Sequence, residues 1–147
     1  MEKTYNPLQT ISIPANADMS DLHRFVKISS GKLVYCGENE KAIGVLALEA
    51  EAGRAAAVHV YGVVLVEAGT GGVTENTPIT SDANGKAVAI EEVTVEASAA
   101  TGAVAVKSDA ENPTLTATVS GGILPVAING IALDTVLAGE IVRVKLL

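Results

Sequence analysis

The side chains in this sequence best suited to chemistry are two histidines and one cysteine, His23, His59 and Cys36. A zinc centre needs three or four converging ligands, and neither an H-x-E nor an H-E-x-x-H pattern occurs. Cys36 paired with either histidine would give a nucleophile, yet nothing beside it stabilises a thiolate, and a lone cysteine is more often a small buried hydrophobe. Gly69-Thr70-Gly71-Gly72 lacks the Lys-Ser/Thr and the helix of a phosphate-binding loop, so it reads as a turn. Asp82-Ala83-Asn84-Gly85-Lys86 resembles the start of a calcium loop, but the twelfth position, which should be Glu, is Val93. Asn-Gly there fits a tight hairpin turn instead. No G-x-S-x-G elbow is present, and the pairs Glu49/Glu51 and Glu91/Glu92 read as solvated loop charge. The expectation is no catalytic residue, no metal ligand and no cofactor.

The elements that would carry these residues are strands. Phe25-Val26-Lys27-Ile28 and Lys32-Leu33-Val34-Tyr35 flank Ser29-Ser30-Gly31 and predict a hairpin. Ala57 to Val66 is the strongest strand. Val58, Val60, Val64 and Val66 share one face and Tyr61, Val63 and Leu65 the other, so the second trio is a candidate subunit interface. Gly62 within it marks a bulge or a close backbone approach. Further strands are expected at 86–90, 93–97, 103–107, 114–119 and 141–146. Leu46 to Ala57, rich in Ala and Glu, is the one competing helical segment. Residues 1–20, punctuated by Pro7 and Pro14, read as an extended arm, and Leu8, Ile11 and Ile13 give that arm something to dock with. On this reading, deleting residues 1–15 leaves the fold intact.

The sequence also repeats itself. Gly44-Val45-Leu46-Ala47 lies on Gly130-Ile131-Ala132-Leu133 at an offset of 86 residues, and the same offset places Ala52-Gly53 on Ala138-Gly139, Val58 on Val144 and Val60 on Leu146. Two copies are too few for a solenoid and fit a pair of equivalent strand units.

Composition bounds the partners. The 147 residues allow one domain, about two-thirds of whose surface can be buried. Val, Ile, Leu and Ala fill the core, and the aromatics are Tyr5, Phe25, Tyr35 and Tyr61, so association with other subunits would supply contact area that aromatics usually provide. With 17 acidic and 10 basic residues, a net charge of −7 and no basic cluster, neither nucleic acid nor an anionic membrane is an expected partner. Cys36 alone allows no disulfide within the chain. No signal-peptide run and no apolar stretch long enough to span a membrane occur, so the chain reads as a cytoplasmic product.

The order of these pieces resembles the capsid decoration, or cement, proteins of tailed bacteriophages. The matching pieces are Phe25-Val26-Lys27, Ala42-Ile43-Gly44-Val45, Ala52-Gly53, Val58-His59-Val60-Tyr61-Gly62-Val63, Ile79 through Val88, Asn129-Gly130-Ile131-Ala132-Leu133, and Ala138-Gly139-Glu140. They cover residues 20–90 and 125–147. The resemblance implies an all-β, compact β-barrel or sandwich of β-tulip type with an extended N-terminal arm over 1–20 and a decoration domain over 21–147. It implies a protein made in the host cytoplasm that joins the virion on the outer capsid surface. There it binds the major capsid protein of an expanded head as a homotrimer, with Leu8, Ile11 and Ile13 as capsid-contacting residues. Residues 91–124 depart from the pattern and read as an inserted hairpin or strand layer. A fibre or adhesin-type binding module is the alternative, and a small β-barrel hydrolase, which would need a polar pocket of converging His, Asp or Glu, is a third reading.

Overall fold

The computed structural model describes residues 3–90 and 127–147. The chain divides into two compact units, Met1–Ile90 with Pro125–Leu147, and Glu91–Leu124; the described residues all belong to the first. Its strands are β1 (Asn6–Pro14), β2 (Phe25–Ser29), β3 (Lys32–Tyr35), β4 (Gly44–Leu46), β5 (Ala55–Glu67), β6 (Pro78–Ser81), β7 (Ala87–Ala89), β8 (Gly130–Ala132) and β9 (Ile141–Leu146). No helix occurs among the described residues, and the named strands pair antiparallel throughout. The expected all-β fold is the one observed. Leu46 to Ala57, the competing helical segment, is instead the end of β4, a loop and the start of β5. The strands anticipated at 93–97, 103–107 and 114–119, and the inserted layer they would form, lie outside the described residues.

The strand order is β3-β2-β4-β5-β9-β8-β6-β7, with β1 paired to β5 off that path. The ring β1-β5-β4-β2-β3 is closed by a parallel bridge between Ala15 and Leu33, and the ring β5-β9-β8-β6-β7 by the same kind of bridge between Ala68 and Ala87. The sheet is thus two small barrels that share β5. Its first half, Ala55 to Val60, is the last strand of the first barrel. Its second half, Val63 to Glu67, is the first strand of the second.

The two barrels repeat each other bond for bond. Val45 pairs with His59 and Leu46 with Val58; 86 residues on, Ile131 pairs with Lys145 and Ala132 with Val144. Ile11 pairs with Val58 and Ile13 with Ala56, while Val64 pairs with Val144 and Val66 with Val142, so β1 corresponds to the second half of β5 at an offset of 53. Loop details recur too. Gly53 N–H donates to Ala15 O and Gly139 N–H to Ala68 O, both at 2.8 Å. His23 and Asn76 occupy the same place with φ of 60° and 62°, a left-handed conformation that non-glycine residues rarely adopt. The repeat seen in sequence at an offset of 86 is therefore the visible half of a complete structural duplication. Eight residues, 36–43, join β3 to β4, whereas 90–129 join β7 to β8.

The cores obey the same correspondence. Ile13, Ala15, Met19, Val26, Leu33, Leu46, Ala56 and Val58 fill the first barrel. Their equivalents Val66, Ala68, Val73, Ile79, Ala87, Ala132, Val142 and Val144 are all buried in the second. Leu33 and Leu46 face smaller counterparts there, Ala87 and Ala132. The second core also receives Phe25, Cys36 and Val45 from the outer face of β2, β3 and β4. Successive residues of a strand point to opposite sides, so Phe25 and Val26 serve different cores, as do Val45 and Leu46.

Candidate functional site

β5 positions an accessible apolar surface that includes Leu8 and Tyr61. At Gly62 the chain has φ of +100°, and a Cβ there would meet Asn6 O at 2.5 Å and Leu8 N at 2.8 Å, so only glycine fits this approach of β1. The β1–β5 register slips twice beside it, between Pro7 and Gln9 and between Gln9 and Thr10. The first slip leaves Leu8 out of the ladder and the second leaves Val60 out, after which the register is restored. Such paired bulges re-aim side chains, and Leu8 and Tyr61 emerge into solvent, 62% and 59% exposed. Together with Asn6, Gly62, Val63, Lys145 and Leu146 they line a groove of about 220 Å³. Leu65 lines the neighbouring concavity of about 620 Å³ with Lys3, Tyr5, Thr135, Val136, Glu140 and Ile141. Asp134 stands behind it, ion-paired to Lys3 at 3.6 Å and clamped by Arg143 at 2.6 Å. The Arg143 hydrogen bonds hold its carboxyl down at about 2.

The sequence-based site residues thus divide. Leu8, Tyr61 and Val63 come together in one groove and Leu65 in the next. Ile11 is half-buried, and Ile13 is buried in the first core. The arm expected over residues 1–20 is, from Asn6 to Pro14, strand β1 hydrogen-bonded along β5. The fold's demand for a last strand to close the first barrel overrides the two prolines, which sit at or near the strand's ends. Tyr5, Leu146 and Lys145 join the grooves without having been singled out. No spacing rule distinguishes a strand end at the rim of a groove from one in solvent.

The groups considered for chemistry are occupied structurally. Cys36 is buried, and desolvation pushes its thiol up to about 12, far from thiolate reactivity. His59 Nδ1 shares a 2.9 Å hydrogen bond with Thr10 Oγ1 across β1 and β5, and burial lowers its pKa. In the Asp82 turn, Oδ1 accepts from the Asn84 and Lys86 N–H groups at 2.8 and 2.9 Å, so the carboxylate closes the hairpin as the Asn-Gly signal predicts. Glu67 bridges Arg24 at 3.0 Å and Lys86 at 2.8 Å, tying the two barrels together. No group of three or more potential metal ligands is found among the described residues.

No family model matches this chain, and no curated protein matches it. Among solved structures, the fold is similar to the N-terminal base of the head fibre protein gp8.5 of bacteriophage phi29. That likeness has a TM-score of 0.62 at 14% identity and covers 95% of this chain and 93% of the other. At that identity it is a likeness of fold.

Proposed function

We propose that this chain is a non-enzymatic structural protein of a tailed-phage virion. It attaches to the outer surface of the expanded head and braces the major capsid protein there, as a homotrimer. The observation that carries the reading is the fold shared over nearly the whole of both chains with a phage head-fibre base. The order of sequence elements resembles another kind of phage head protein, the capsid decoration proteins. The groove lined by Leu8, Tyr61 and Val63 supplies the contact surface: exposed apolar patches mark interaction sites, and burying a large apolar side chain contributes about 2 kcal/mol. Several copies engaging one shell add avidity, so modest individual contacts suffice.

A second reading, that the chain is the base of a projecting fibre, is favoured by the neighbour being itself a fibre base. Both readings require head binding, whereas an adhesin module requires a cell-surface ligand. Leu8→Asp and Tyr61→Asp, tested for binding to expanded shells and to host-cell glycans, separate these cases. On the proposed reading each substitution weakens shell binding by about tenfold or more and the wild type ignores glycans. Unchanged shell binding by both variants removes the groove from the interface. Glycan binding by a wild type that ignores shells replaces the reading altogether.

A further inference from the structure

Among the described residues, the duplication leaves one surface used once and present twice. The first barrel docks on the second through the outer face of β2, β3 and β4, where Phe25, Cys36 and Val45 are buried and Ala42 packs against them. The connection after β3 is stitched down. Asn129, itself buried, accepts from Ala42 N–H at 2.9 Å and donates to Glu40 O at 2.9 Å, and Ser81 Oγ donates to Gly37 O at 2.7 Å. In the second barrel the equivalent positions are Pro78, Ile90, Ile131 and Ile128. All four are apolar. The first three are partly exposed, and Ile128 is 47% exposed. The surface that receives the docked barrel has its equivalent on the first barrel, where Ile28 takes the place of buried Ser81 and is 49% exposed.

We propose that the chain self-associates head to tail: the Pro78–Ile90–Ile128–Ile131 face of one copy docks on the Ile28 face of the first barrel of a second copy, extending the contact that joins the two barrels within each chain. The occupant follows from continuity with that internal contact. The same strands at the same register present an apolar face, and the partner surface it fits is carried by the chain itself. Several bonds of the internal contact do not recur. Glu67 N–H donates to His23 O at 2.9 Å and Phe25 N–H to Gly85 O at 2.7 Å, whereas the residues equivalent to Glu67 and Phe25 are Pro14 and Pro78, which have no N–H. The hydrogen-bonding side chains of Ser81 and Asn129 are replaced by Ile28 and Ile43. The contact between copies is therefore weaker than the one within, and association depends on concentration. Because donor and acceptor faces differ, the interface is heterologous and copies close into a ring or extend into a chain. The proposal stands apart from the head-binding reading, since self-association is measured without a shell.

The test uses the full chain in sedimentation equilibrium with two kinds of charged variant. Ile28→Asp spoils the acceptor face; Ile131→Asp, or Ile128→Asp outside any strand should Ile131→Asp unfold, spoils the donor face. The wild type is expected to form oligomers, and each folded variant alone to stay monomeric. An equimolar mixture of one acceptor and one donor variant is expected to recover dimers through the single intact pairing. A wild type that remains monomeric at its solubility limit, folded variants that still oligomerise, or a mixture that stays monomeric would each overturn the proposal.

Discussion

Single residues carry the duplication's steric signature. Gly44 and Gly130 open β4 and β8, and a Cβ on either collides with the neighbouring strand: with His59 O and Val58 Cγ1 in the first barrel, and with Lys145 O and Val144 Cγ1 in the second. Gly44→Ala and Gly130→Ala should each destabilise the fold by about 1–3 kcal/mol, read from the shift in a urea denaturation midpoint, and the two should agree within the scatter of such values. Cys36, with its thiol raised to about 12 by burial, should resist an aromatic disulfide reagent at neutral pH until denaturant opens the core. Rapid labelling of the native protein would contradict that burial. Asp134 sets an acid limit. Its folded pKa of about 2 lies below the ordinary 3.8, chiefly because of Arg143. The stabilisation is therefore complete above the unfolded value and disappears as pH falls from about 4 to about 2. Asp134→Asn should melt below the wild type at neutral pH, by an amount equivalent to about 1 kcal/mol, and the gap should close near pH 2.

At the scale of elements, β1 is the piece whose role sequence reasoning misassigned. Pro7 and Pro14 argue against a central strand, and β1 is indeed off the main strand path. Yet Ile13 and Ala15 lie in the first core, and Ala15 makes the bridge to Leu33 that closes the barrel. Removing residues 1–15 should therefore abolish cooperative unfolding or lower the melting temperature steeply, since it exposes both the core and an unpaired length of β5. A truncated protein that melts like the wild type would restore the free-arm reading. The long connection behaves oppositely. In the first barrel eight residues span the gap from β3 to β4. Replacing residues 91–124 with two glycines leaves an equally short connection and should preserve the melting temperature of the two barrels within a few degrees.

For the molecule as a whole, the half of the duplication after the long connection was legible and the half before it was not. Gly44/Gly130 and Gly53/Gly139 are fixed by close approach or by positive φ, so the same residue type recurs at an offset of 86. β2 and β6 share only an apolar core position, Val26 and Ile79, which many hydrophobes satisfy. The boundary between barrels falls inside β5, where no turn signals it, so Ala57 to Val66 reads as one element. The alternation along that strand correctly set Tyr61, Val63 and Leu65 on the face away from the core. The addition of Leu8 to that face depended on a bulge that no periodicity announces.

The proposed head binding is best tested by co-sedimentation of the purified protein with empty shells of a tailed-phage major capsid protein, expanded and unexpanded. A head-bracing protein should pellet saturably with expanded shells, in a fixed ratio to capsid subunits, and not with unexpanded ones. Failure to pellet with well-formed expanded shells would contradict that role.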